Sequence, residues 1–211
     1  MLRLMIDAER PQPRQLGRIV DIMRNGGVVI YPTDTVYGLG CDMMQKRAVE
    51  AIYGIKGKNK RHPLSFICSD LKDLSQFAIV GHNAYRIMKR ILPGPYTVIL
   101  QASPKVPRVM LSQSSTVGIR VPEHAVTRML VELLGQPIVT TSVPTPPNVQ
   151  YNDPEEMCRR LAGQVEAVID SGIIYPEPST ILDLSGDVPR LLRQGKGEID
   201  QIGSVVIEDE V

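Results

Sequence analysis

Tryptophan is absent from this 211-residue chain, and phenylalanine occurs only twice. The core must therefore be packed from Val, Ile, Leu and the nine Met rather than from large rings. An excess of charge is missing too. The 24 Lys and Arg against 23 Asp and Glu leave a formal net charge of +1. No global field draws the molecule onto nucleic acid or membrane, so any basic site is a local cluster. The three cysteines, Cys41, Cys68 and Cys158, are odd in number and far apart. That excludes a secreted disulfide framework and any zinc-ligand spacing, and it fits a reducing cytoplasm. His62, His82 and His124 form no ligand spacing either, so no protein metal site is expected. No apolar run approaches the length of a membrane span. The N-terminal Met1–Asp7 carries too short an apolar run for a signal peptide. A cytoplasmic protein with no membrane contact is expected.

What is present is an alternation of strands and helices. Leu16, Ile19, Val20, Ile22 and Met23 recur at helical spacing, and Asn25-Gly26-Gly27 stops that helix. Val28 to Tyr31 reads as a buried strand. Ala48, Ala51, Ile52 and Ile55 mark a second helix, His82 to Leu92 a third, Val126 to Leu134 a fourth, and Glu155 to Leu161 a fifth. Pro154 suits the first position of the last one. Further strands are expected at Leu64–Cys68, Tyr96–Gln101, Thr116–Val121, Pro137–Thr141, Val165–Ile169, Ser179–Leu184 and Pro189–Gln194. Pro93-Gly94-Pro95 forces a turn, and Pro144 to Asp153 reads as a loop. Several connections are too short for a helical crossover, so the α/β sheet should contain antiparallel pairs. One domain is expected over 8–199, followed by a short tail at 200–211.

Two segments carry the chemistry. Tyr31-Pro32-Thr33-Asp34-Thr35-Val36-Tyr37-Gly38-Leu39-Gly40 is a hydroxyl- and glycine-rich turn leaving an apolar strand. Lys56-Gly57-Lys58-Asn59-Lys60-Arg61-His62-Pro63-Leu64 is a cationic loop leaving a helix. Together they read as two walls of a site for a polyanionic nucleotide. A basic run by itself is usually a solvated loop. Here Gly57 allows close backbone approach, and Pro63 fixes the entry into the next strand. Each charge-assisted contact to phosphate contributes roughly 1.5–3 kcal/mol. The usual nucleotide motifs are missing. There is no G-x-x-x-x-G-K-S/T, and Gly38-Leu39-Gly40 lacks the third glycine of a dinucleotide fingerprint. Side chains must hold the phosphates.

The order of these segments resembles the YrdC-like threonylcarbamoyl-AMP synthases. So do Pro93-Gly94-Pro95-Tyr96-Thr97, Val117-Gly118-Ile119-Arg120-Val121-Pro122, Ser179-Thr180-Ile181-Leu182-Asp183 and Leu192-Arg193-Gln194-Gly195. The resemblance runs from about Ala8 to Ile199, and Gln194 to Glu198 looks more like the YciO branch. It implies a single-domain, twisted open sheet of mixed parallel and antiparallel strands, with flanking helices and a basic concave face. It implies ATP, L-threonine and bicarbonate as substrates, with Mg²⁺ accompanying the ATP. Threonylcarbamoyl-AMP and pyrophosphate would be the products, serving tRNA modification. Residue by residue, it places Lys56, Lys58 and Ser142 at the chemistry. The nucleotide would meet Lys56, Lys58, Pro63, Ser142 and Arg193. Threonine would meet Thr33, Thr35, Arg120 and Ser179. Plainer roles exist for each: edge-strand cations for Arg120 and Arg193, local turn hydrogen bonds for Thr33 and Thr35, a strand start for Ser179. The other function class is a binding protein for tRNA or double-stranded RNA that keeps the concave face without the synthase chemistry.

The chain departs from the synthase pattern at three places. Lys58 stands where synthases carry Arg, keeping charge and losing a bidentate fork. Pro144 stands where they carry Asn, removing a carboxamide and a main-chain N–H. Ile67 or Cys68 occupies a position usually held by His.

Overall fold

The computed structural model describes residues 1–57, 64–107, 110, 115–146, 152–200, 202–203 and 205–207. Its strands are β1 (Leu2–Met5), β2 (Val29–Tyr31), β3 (Gly38–Asp42), β4 (Ser65–Ile67), β5 (Ala78–Ile79), β6 (Tyr96–Ala102), β7 (Thr116–Arg120), β8 (Ile138–Ser142), β9 (Ala167–Asp170), β10 (Thr180–Asp183), β11 (Arg190–Arg193) and β12 (Val206–Ile207). The helices are α1 (Pro13–Arg24), α2 (Lys46–Lys56), α3 (Leu71–Phe77), α4 (His82–Ile91), α5 (Ala125–Leu134) and α6 (Pro154–Arg160). Among the described residues the strands form one sheet in the order β1-β9-β2-β3-β8-β4-β7-β6-β10-β11-β12, with β5 beside β6. The sheet mixes parallel pairs (β1–β9, β4–β7, β6–β10) with antiparallel ones (β2–β3, β3–β8, β6–β7), as the short connections predicted. β1 and β12 lie outside 8–199 and extend the sheet at its two edges. Among the described residues no helix is long and apolar enough to cross a membrane.

Local chemistry explains most of the helix ends. Pro13 opens α1, which buries Leu16, Ile19, Val20 and Met23 at helical spacing and ends at Asn25, before Gly26 at φ +86°. Asp153 caps α6, accepting from the Glu155 N–H at 2.8 Å. Asp70 caps α3 in the same manner, accepting from the Asp73 N–H at 2.8 Å. Periodicity did not reveal α3, because a seven-residue helix gives it barely two turns.

Strand β3 is the main correction. Its Gly-Leu-Gly-Cys-Asp sequence reads as a turn, yet it lies buried in mid-sheet between β2 and β8. Both glycines are pressed by the Tyr31 ring, and Gly40 also by Ile138 and the Val139 carbonyl. A Cβ at Gly38 would stand 2.8 Å from Tyr31 Cζ, and one at Gly40 would stand 2.9 Å from Tyr31 Cε1. Close approach of a side chain is a reason for Gly to sit within a strand.

The two faces of the sheet are covered unequally. One packs Ile30, Leu39, Phe66, Val98, Val117, Ile119, Val139, Val168 and Leu182 against apolar residues of α2, α3, α4 and α6. The other packs Val29, Tyr31, Ile67, Ile138, Ala167 and Ile169 against α1 and α5. Those two helices span only the β1–β4 side. One register row shows the change: Ala167, Val29, Gly40, Thr140, Ser65, Gly118, Ile99, Asp183. Apolar residues give way to glycine and hydroxyls where the helical cover stops.

Candidate active site

The uncovered part of that face holds an open cavity of about 470 Å³, a size typical of small-ligand sites. Strand alternation builds its floor. On β8, Ile138 lies under the helices, while Thr140 and Ser142 share its face and line the cavity. On β4, Ile67 is covered and Ser65 lines the cavity. Thr33, Lys56, Arg120, Ser142, Ser179 and Arg193 all line this one space, although the sequence spreads them over 161 positions. Lys58 and Pro63 lie outside the described residues. A larger cavity of about 590 Å³, around Tyr85, Met88 and Val121, contains none of the expected site residues.

The threonines of the β2–β3 turn are engaged with one another and with Arg120. The Thr33 hydroxyl donates to the Val36 carbonyl at 2.6 Å and accepts the Val36 and Thr35 N–H groups at 3.3 and 3.2 Å. With its hydrogen donated and both lone pairs engaged, this hydroxyl is committed to its own turn. Thr35 is buried behind it, and its Oγ1 accepts from Arg120 Nη2 at 2.9 Å. Thr35 thus supports Arg120 instead of lining the cavity. Arg120 Nη2 also donates to Asp34 Oδ1 at 2.7 Å, in an ion pair whose side chains are 10% and 9% exposed. The Arg120 fork is therefore partly occupied, and its buried Nε has no hydrogen-bond partner among the described residues. A buried donor in that state carries a desolvation cost.

The opposite wall is equally built. Arg193 donates through Nη2 and Nε to the Ser179 carbonyl at 2.8 and 3.1 Å. Ser179 Oγ meets Thr97 Oγ1 at 2.8 Å. Lys56, the last residue of α2, is half-buried, and desolvation holds its ammonium below the usual lysine range. Ser142 is exposed to the cavity at the end of β8. The next residues are pinned: the Val143 N–H donates to the Tyr37 carbonyl at 3.0 Å, and Arg160 donates to the Pro144 carbonyl. Among the described residues no carboxylate lines the cavity, and no group of three His, Cys, Asp or Glu could hold a metal.

Sequence reasoning gave Asp34, Ser65, Thr97, Thr140 and Thr141 no role at the site. The signal for Ser65 and Thr140 was their two-residue spacing from Ile67 and Ile138; it needed only the knowledge of where the helices stop. The structure also separates Ile67 from Cys68. Ile67 shares the cavity's face, whereas Cys68 points into the opposite core, where burial and the nearby Asp73 and Asp70 push its thiol pKa up.

Residues 21–195 match the profile of the Sua5, YciO and YrdC family, which carries the description "Telomere recombination". The chain belongs to the Sua5/YciO/YrdC family. It is 39% identical over 196 residues to "Uncharacterized protein YciO" of Escherichia coli K12, covering 92% of this chain and 95% of that one. The crystal structure of E. coli YciO superposes with a TM-score of 0.88 at 38% identity, covering 96% of this chain and all of that one. The threonylcarbamoyl-AMP synthase of Pyrococcus abyssi is 31% identical over 202 residues, covering 95% of this chain and 59% of the larger protein. The structure of P. abyssi Sua5 complexed with L-threonine superposes with a TM-score of 0.89 at 30% identity, over 99% of this chain and 63% of that one.

Proposed function

We propose that this chain is a diverged L-threonylcarbamoyl-AMP synthase, acting on ATP, L-threonine and bicarbonate. The observation that carries the reading is the convergence of Thr33, Lys56, Arg120, Ser142, Ser179 and Arg193 on one cavity. It is supported by a family relative, P. abyssi Sua5, solved with L-threonine. In this reading the threonine amine attacks bicarbonate; the new C–N bond replaces a C–O bond, water leaves, and a carbamate results. A carbamate oxygen attacks the α-phosphorus of ATP. The new O–P bond forms as the bond to the bridging oxygen of the pyrophosphate breaks, and pyrophosphate leaves with the electron pair. The two reactants are both anions, so bringing them together is the main barrier. Lys56 and Arg193 offset that repulsion, and Lys56 faces the charge developing on the leaving group. Arg120 meets the threonine carboxylate. The hydroxyls of Ser142 and Ser179 orient the groups without adding charge. Mg²⁺ accompanies the triphosphate, and tRNA is the final acceptor of the threonylcarbamoyl group.

The test is pyrophosphate release from ATP, with and without threonine and bicarbonate. We expect weak release that depends on both, slower than an ordinary enzyme rate of about 1 s⁻¹. Lys58→Arg combined with Pro144→Asn should raise it at least tenfold, and by more than the product of the single gains, since both would address one nucleotide. ATP binding with no threonine-dependent release in any of these proteins would reject the synthase reading.

A further inference from the structure

Asp34 ties its own turn to three other segments from a place just behind the cavity wall. Its Oδ1 accepts from Arg120 Nη2 at 2.7 Å, and its Oδ2 accepts from the Glu123 N–H at 3.1 Å. Its main-chain carbonyl accepts from Lys196 Nζ at 2.6 Å. The β2–β3 turn, the end of β7, the approach to α5 and the C-terminal loop all meet at this one residue. Asp34 does not line the cavity; Arg120 does. The guanidinium is held from behind by Asp34 and Thr35, and its Nε is buried and has no acceptor among the described residues.

We infer that Asp34 is a positioning residue that fixes the Arg120 guanidinium in the cavity wall, so that the edge left free by Asp34 and Thr35 meets the carboxylate of the amino-acid substrate. The inference rests on the reading of Arg120 as the partner of that carboxylate. Arginine has long, soft torsions, and one held on a single side would sample several orientations. Anchoring Nη2 to two acceptors removes that freedom before the ligand arrives, which is how groups behind a binding site contribute affinity. The ion pair has a second effect. With Asp34 beside it, Arg120 is nearly neutral at a distance, so this end of the cavity recognises an anion by hydrogen-bond geometry more than by charge. A triphosphate, which is drawn by net charge, gains little here. A singly charged carboxylate of the right reach gains most.

Two variants separate position from charge. Asp34→Glu keeps the charge and moves it by one methylene. Asp34→Asn keeps the reach and removes the charge. Threonine and ATP are titrated separately by calorimetry into wild type and both variants. The Arg120 Nε–H resonance is followed by NMR in the same full-length proteins, and melting temperatures are recorded. We expect both variants to weaken threonine at least fivefold while ATP stays within twofold. The wild type should show a slowly exchanging Arg120 Nε–H signal that shifts on threonine addition and broadens in both variants. If Asp34→Glu binds threonine as wild type does, charge alone suffices and the positioning role is overturned. A parallel loss of threonine and ATP affinity with a falling melting temperature would make Asp34 a merely structural residue and overturn it equally. If wild type binds no threonine, the synthase reading fails at this subsite. The NMR arm then decides alone: broadening in both variants upholds Asp34 as the anchor of Arg120, and an unchanged signal rejects it.

Discussion

Ile138 and Ser142 belong to the same strand and point from the same face, four residues apart, yet they live in different environments. Ile138 is sealed under α1 and α5, whereas Ser142 opens onto the cavity. The same contrast separates Ile67 from Ser65 on β4. The covered region is built for burial: aliphatic side chains interlock, and each one removed leaves a void. The open region instead sets hydroxyls, glycines and cations around the cavity. A covered core and an open cavity floor thus share one continuous face. The boundary between them is set by where two helices end.

The sharpest way to break this comparison is to exchange the demands of its two ends. Ile138→Ala should cost about 3 kcal/mol of folding stability, the usual loss for a buried aliphatic side chain. Ser142→Ala should stay within about 0.5 kcal/mol, as for a site with little packing. Urea unfolding of both proteins measures the difference; equal losses would mean that the open end is packed like the covered one. At the boundary, Thr140 Oγ1 bonds the hydroxyl of fully buried Tyr31 at 2.5 Å. Thr140→Val should cost about 2 kcal/mol in the same assay, because it leaves that hydroxyl buried without a partner. Unchanged stability would show that the Tyr31 hydroxyl finds another partner.

Within the open region, Lys56→Ala should weaken ATP at least tenfold, about 1.4 kcal/mol, with little change in melting temperature. Calorimetry giving equal affinities would remove Lys56 from the nucleotide site. The smallest effect expected is one of pH. Burial lowers the Lys56 pKa below the usual lysine value, so its charge is present at low pH and lost as pH rises through that lowered value. ATP affinity should therefore fall on the alkaline side earlier than for an ordinary lysine, while Lys56→Arg should flatten the profile, since Arg stays protonated. Identical profiles for the two proteins would show that Lys56 does not govern binding.

Much of the fold and part of the site could be read without coordinates. The helices with apolar residues at i, i+3 and i+4 were legible, as were the strands with aliphatic runs, because their local pattern and their tertiary environment agree. The order of the motifs also singled out Thr33, Lys56, Arg120, Ser142, Ser179 and Arg193, which line one cavity. Strand β3 was not legible, because its glycines answer to the Tyr31 ring, a contact made across strands. The short α3 and the edge strands β1, β5 and β12 were missed because so few residues carry little periodic signal.

The sequence by itself determined that this is a mixed α/β sheet with an aliphatic core, and which motifs would supply hydroxyls and cations. Both follow from short-range rules: side-chain period, turn chemistry and the residue types that bind anions. Only the tertiary structure decided that Thr35 stands behind Arg120 and not in the cavity, and that Asp34 already holds part of the Arg120 fork. It alone placed Ile67, and not Cys68, on the cavity's face. Those outcomes depend on pairs such as Asp34 with Arg120, 86 positions apart. Strand order and register bring such residues together, and no local pattern in the chain records the distance between them.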